Sequence, residues 1–314
     1  MRVLIVASFN KACFAPFIVE QGNALQVLGC EVDWFGLQGK GMKGYLKNLP
    51  RLKKKIKEFR PDVIHAHYGL SGLFANLQRR VPVVTTYHGS DINDKAILRF
   101  SRIAMKLSAW NIFVSRKTLE IAKPQKKFSL LPCGIDISDL QLTSKMEARE
   151  KLCLDQEKRY VLFAGAFDNP VKNASLAKKT MAELKDTDAE LLELKGYNRE
   201  EVTLLMCAAD AFLMTSLSEG SPQVIKEALA CGCPIVSVDV GDVRERIGNV
   251  EGCLVSNSTD STALSTLLRE AVAFQGKTNG REKIINDGMD NQTVVKSLLD
   301  VYSQVCKMFF SIDY

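Results

Sequence analysis

Glu219 and Glu227 stand on either side of a helix start. Between them the turn Glu219-Gly220-Ser221-Pro222 joins the apolar run AFLMT to the helical pattern QVIKEALA. Proline suits the first turn of a helix because its missing N–H would be unpaired there anyway. The amides of Ser221, Gln223 and Val224 can then point outward, and free N–H groups with aligned dipoles make an anion site suited to phosphate. Carboxylates beside such a site suit sugar hydroxyls better than phosphates. A glutamate at a helix start also reads as a plain partner of the helix dipole, and Glu227 as a solvated acid; the residues alone leave both readings open. Two histidines add acid–base capacity. His67 in DVIHAHYG and His88 in VVTTYHGSD close two successive apolar runs. An imidazole there can carry a proton near neutral pH or orient a hydroxyl. His65, alternating with His67, is expected on the opposite face as a packed core residue.

These groups need a sheet edge to stand on. Short apolar runs alternate with helix-length amphipathic segments along the chain, the pattern of βα units and parallel sheets. Strands are expected at RVLIVAS, EVDWFGL, DVIHAH, VPVVTTYH, NIFVS and FSLLP, then afresh at YVLFAGA, ELLELKG, AFLMT, CPIVSVD and GCLVS. Helices are expected over 17–28, 45–59, 92–107, 174–185, 199–208, 223–231 and 262–274, with a last one over 292–309. These strands are too many for one doubly wound sheet of usual size and divide into two sheets. The polar segment from Asp136 to Lys145 has no apolar period and reads as a linker after Gly134. The domains are therefore 1–137 and 138–291, with the segment 292–314 packing back on the first. The fold class is α/β, with two Rossmann-like parallel-sheet domains and a ligand cleft beyond the C-terminal ends of their strands.

The stretch E-G-S-P-Q-V-I-K-E-A-L-A-C-G-C-P-I-V resembles the E-x7-E signature of retaining GT-B glycosyltransferases, above all glycosyltransferase family 4. Ala209 with Asp210, the serine before Glu219 and the glycine turn at Gly241 fit the same pattern, so the likeness runs over nearly the whole chain. The resemblance implies a sugar transferase in which Glu219 contacts hydroxyls of the transferred sugar and Glu227 holds the ribose. It also implies that the amides of Gly220, Ser221 and Pro222 face the sugar and diphosphate. His88, followed by Gly89, is similar to the family's strand-ending histidine beside the reacting sugar. His88 and Glu219 are accordingly the expected catalytic residues. In the family an arginine and then a lysine neutralise the diphosphate. Here FAGAFDNPVKN supplies Lys172, followed by Asn173, while Ala166 stands where the arginine is expected. Arg199, Arg244 and Lys11 are candidates to replace it. Base contacts in this fold are backbone ones, placed near Leu194 to Tyr197 with Gly196 among the donor-binding positions. The loop SFNKACFAPF faces the donor without the family's paired glycines, and LPCGID carries Cys133 in place of a linker asparagine, read as structural.

Composition narrows the alternatives. No apolar run is long enough to span a membrane, and Asn10 with Lys11 breaks any signal-peptide layout, so a cytoplasmic enzyme is expected. Nine cysteines, with no C-x-x-C repeat, read as reduced thiols, and Cys231 with Cys233 lacks the partners of a zinc site. No D-x-D pair closes a strand, so no metal and no cofactor beyond the nucleotide-sugar donor is expected. The net charge of +6 gathers between residues 40 and 60. That stretch reads either as a solvated face over an apolar stripe of Leu49, Leu52, Ile56 and Phe59, or as a peripheral contact with anionic headgroups or a phosphate-bearing acceptor. Nucleic acid is not expected, since no aromatic platform accompanies the charge. The expected partners are the donor and a glycan, lipid-linked or small-molecule acceptor. A nicotinamide enzyme would want G-x-G-x-x-G after the first strand, which SFNKACF lacks. A sugar-nucleotide epimerase, or a nucleotide-sugar binder that has lost turnover, shares the expected architecture.

Overall fold

The computed structural model describes residues 1–125, 127–184 and 188–311. Each apolar run named above forms a strand: β1 (Arg2–Ser8), β2 (Glu31–Leu37), β3 (Val63–His67), β4 (Val83–Tyr87), β5 (Trp110–Phe113), β6 (Phe128–Leu130), β7 (Arg159–Phe163), β8 (Ala189–Glu193), β9 (Ala211–Met214), β10 (Ile235–Val238) and β11 (Cys253–Ser256). They pair in parallel into one sheet ordered β2-β1-β3-β4-β5-β6 and another ordered β11-β10-β9-β7-β8. Strands such as β3 and β4 are buried at every position, because helices cover both faces of a parallel sheet.

Two expected helices are each interrupted at a polar residue. The segment 45–59 divides into Gly41–Leu46 and Leu49–Phe59. At the break the buried Asn48 amide donates to the carbonyls of Gln38, at 2.8 Å, and Tyr45, at 3.2 Å. The segment 92–107 divides at Asp94, whose carboxylate caps the helix Lys95–Leu107 by accepting from Ala96 N and Ile97 N. The helix Arg199–Ala208 lies as expected, opened by a capping box from Asn198 and Glu201. Ala174–Ala182 ends short of residue 185, which lies outside the described residues, as do 312–314 of the expected last segment. Helices Gly69–Asn76, Arg116–Ala122, Val243–Ile247 and Gly280–Asn286 had no expectation; they are short, and two open on glycine. Gly69 is glycine for a packing reason. A Cβ there would meet Ser101 Oγ at 2.0 Å, where two helices cross.

The chain forms two compact units, one ending at Gly134 and regaining the last helix, Asn291–Phe310, the other spanning Ile135–Asp290. In the first, Val295, Leu298, Tyr302 and Val305 of that helix pack with Val3, Ile5, Val63, Ile18 and Leu25. Each such side chain contributes about 1.5–3 kcal/mol when fully buried. In the second, one core lies between the sheet and the helices Arg199–Ala208 and Gln223–Ala230, another between the sheet and Ala174–Ala182 with Ser261–Ala273.

Candidate active site

In the first unit the parallel register sets Ala66 beside Thr85 and His67 beside Thr86, so the residues closing β3 and following β4 share the C-terminal edge of the sheet. His67 Nδ1 and His88 Nε2 lie 3.0 Å apart, and His88 Nδ1 lies 3.6 Å from Cys133 Sγ. Phe17 and Tyr68 flank the His88 ring at 5.0 and 4.6 Å between centroids. His67 Nε2 is buried without a hydrogen-bond partner among the described residues. The imidazole pair thus offers His67, and not His88, as its uncommitted nitrogen. Cys133, expected as linker structure, belongs to this group. Asp91 holds the group in place. Its buried carboxylate accepts from Gly69 N at 2.8 Å and from His88 N and Gly89 N at 3.0 Å each. Gly89, at φ 114°, turns the chain from β4 into that contact.

His65 does not point to the opposite face. Residues two apart in a strand share a face, and the His65 and His67 rings lie 4.3 Å apart. His65 is nonetheless held by structure, with Nε2 2.7 Å from Thr86 Oγ1 and Nδ1 2.7 Å from Tyr302 OH. Burial lowers its pKa to about 3. Burial also drives His67 well below the ordinary imidazole value, with charge on His65 and His88 adding to it, so both rings are neutral at neutral pH. Burial lifts Asp91 to about 6 against the backbone N–H groups that favour its charged form.

In the second unit, the loops after β7 and β9 converge. Lys172 Nζ donates to Glu219 Oε1 at 2.7 Å, with both side chains mostly buried. Gly165 makes this possible, since a Cβ there would lie 2.8 Å from the Lys172 stem. Asn173 takes a left-handed conformation at φ 55°, and Thr215 Oγ1 donates to the carbonyls of Lys172 and Asn173 at 3.0 Å. The Ala166 carbonyl accepts from Asn169 N at 3.1 Å.

The helix Gln223–Ala230 starts at the expected residue. Pro222 sits at its N-cap in extended conformation, and no side chain caps the helix. Ser221 Oγ is buried with no partner among the described residues. Gly241, at φ +58°, lies against the turn, where a Cβ would meet the Gly220 carbonyl at 2.7 Å. Glu227 is on the same helix. Burial raises its pKa, while Arg199, 3.9 Å away, and Lys226 draw it down. Of the three cations considered in place of the missing arginine, Arg199 stands beside a donor candidate, whereas Arg244 is held by Asp239 and Asn257. Gly196, at φ +83°, is exposed in the loop after β8. Gly165 and Thr215 were not anticipated, because each works through a neighbour's backbone or stem and carries no motif.

Residues 17–139 match the family described as Glycosyltransferase Family 4, and residues 179–273 that described as Glycosyl transferases group 1. The chain is 28% identical over 244 residues to a protein named for teichuronic acid biosynthesis in Bacillus subtilis (strain 168), the glycosyltransferase TuaC. That match covers 68% of this chain and 62% of TuaC, so the chain spans under two thirds of that relative. It is 25% identical over 306 residues to the Escherichia coli UDP-Gal:alpha-D-GlcNAc-diphosphoundecaprenol alpha-1,3-galactosyltransferase, covering 82% of this chain and 79% of the other. Sucrose-phosphate synthase from Thermosynechococcus elongatus shares the fold, with a TM-score of 0.81 at 18% identity over 97% of this chain and 98% of that one.

Proposed function

We propose, on the premise that this chain is a glycosyltransferase of the family 4 type with the GT-B fold, that it transfers a sugar from a nucleoside diphosphate sugar to a glycan or lipid-linked acceptor. Transfer retains the anomeric configuration and needs no metal. The observation that carries this reading is the Lys172–Glu219 pair beside the uncapped helix Gln223–Ala230. Lys172 and the helix N-terminus offset the charge that grows on the departing diphosphate. Lys172 leaves Glu219 for that diphosphate, and Glu219 then grips a hydroxyl of the transferred sugar. Arg199 supplies the second cation that Ala166 does not. Glu227 holds the ribose, and Asn173, Gly196, Gly220, Ser221 and Pro222 line the donor. His88, held by His67 and Cys133, acts at the reacting sugar as one pair with His67, whose Nε2 is the open nitrogen of the two rings. The name of the Escherichia coli relative supports a UDP-sugar donor and a diphospholipid-linked acceptor.

The loss of the arginine at Ala166 favours one rival, a nucleotide-sugar binder without turnover. The protein is incubated with UDP-glucose, UDP-galactose and UDP-N-acetylglucosamine without acceptor. Slow UDP release from one of them, abolished in Glu219→Ala and His88→Ala, is expected. Tight binding with no release supports the binder. Interconversion of the donor sugar supports an epimerase.

A further inference from the structure

The first unit carries a basic surface that includes none of the candidate site residues. The helix Lys95–Leu107 contains Lys95, Arg99, Arg102 and Lys106 and no acid. Its inner face is occupied by Leu98, Ser101 and Ala104. All four cations therefore stand outward, alongside Ile103 and Leu107, which are 47% and 42% exposed. Arg102 and Lys106 join Lys123 and Lys127 around a cavity of about 500 Å³ that no aspartate or glutamate lines among the described residues. Arg102 Nη2 reaches the Ile121 carbonyl at 3.5 Å, and Ile121 and Phe128, next to the cavity in sequence, are 42% and 41% exposed. Among the described residues none of the four cavity cations forms an ion pair. The nearest acid in sequence, Glu120, is exposed on the helix Arg116–Ala122.

The segment 40–60 differs. There Lys54 pairs with Glu58 and Lys55 with Asp33, and Leu52, Ile56 and Phe59 are buried. Unpaired cations interleaved with exposed aliphatic and aromatic side chains fit an anionic bilayer. Phosphates answer the charge, and the apolar tips gain by leaving water at the headgroup boundary. No described helix is long and apolar enough to cross a membrane, so any contact through this surface is peripheral.

We propose that the outer face of Lys95–Leu107 and the adjoining cavity dock onto an anionic lipid surface, with lipid phosphates among Arg102, Lys106, Lys123 and Lys127 and with Ile103, Leu107, Ile121 and Phe128 entering the headgroup layer. This surface is independent of the donor chemistry. The full chain is sedimented with phosphatidylcholine vesicles and with vesicles of equal parts phosphatidylcholine and phosphatidylglycerol. Binding to the second alone is expected, weakened by salt, and reduced about tenfold or more in Arg102→Glu/Lys123→Glu. An exposed apolar pair, Ile103→Ser/Leu107→Ser, should reduce it as well, while thermal melts show both variants folded. Three results overturn the proposal: no binding to anionic vesicles, binding lost in Lys47→Glu/Lys57→Glu but kept in these two variants, or binding of soluble glycerol 3-phosphate with no vesicle binding.

Discussion

Lys172 Nζ donates to Glu219 Oε1 at 2.7 Å across 47 residues of chain. The proposed chemistry uses this cation and this acid separately, on the diphosphate and on the sugar. Removing either charge should therefore touch different steps. Glu219→Gln should lower UDP release by about a hundredfold to a thousandfold, the loss seen when one preorganised partner of a transition state is removed. Lys172→Met should lower UDP release too and in addition weaken donor binding by about ten- to a hundredfold, in line with ~1.5–3 kcal/mol for a hydrogen bond to a charged group. Steady-state UDP release with binding titrations separates the two, and equal loss of binding in both variants would sink the division of labour.

The buried imidazoles make the first unit sensitive to acid. His65 and His67 have pKa values depressed below the ordinary 6.5, so they resist protonation when folded and accept it when unfolded. Their penalty is absent above the unfolded value and grows as pH falls below it. Asp91 opposes this, because its raised pKa of about 6 lets the folded protein take up a proton before the unfolded one does. With two protons lost against one gained, stability should fall by about 3 kcal/mol between pH 7 and pH 5. Urea unfolding at both values measures this, and a flat profile would contradict the assignment.

Tyr302 OH and His65 Nδ1 lie 2.7 Å apart, joining the last helix to β3 in the core. Tyr302→Phe keeps the ring and leaves a buried nitrogen unpaired. A loss of about 1–3 kcal/mol is expected, read from chemical denaturation, with UDP release at neutral pH nearly unchanged.

Two glycines separate backbone strain from contact. Gly196 at φ +83° has nothing within 4 Å of a Cβ position, whereas Gly241 at φ +58° has the Gly220 carbonyl at 2.7 Å. Gly196→Ala should cost about 1–2 kcal/mol, the price of the left-handed backbone alone. Gly241→Ala should cost more and also lower UDP release over tenfold, because the turn bearing Glu219 must shift. Similar kinetics in the two variants would show that the turn tolerates the shift.

Strand identity was legible from the start, since a parallel strand covered on both faces needs an unbroken apolar run, and every run from RVLIVAS to GCLVS became a strand. So was the helix 199–208, where Asn198 and Glu201 write its start locally. The turn before Gln223 was equally readable, although Pro222 caps that helix instead of entering it. Other features depend on partners distant in sequence. Asn48 and Asp94 break their helices by turning side chains onto particular backbone groups, and no apolar period records that choice. The His67–His88–Cys133 group arises from the register of β3 against β4 and the return of the chain at 133. Likewise, Lys172 reaches Glu219 because two loops from neighbouring strands bend together over Gly165. Local spacing determines which segments become strands and where many helices begin. Which side chains meet is decided by strand register and loop path, because these set distances between residues that sequence separation leaves free.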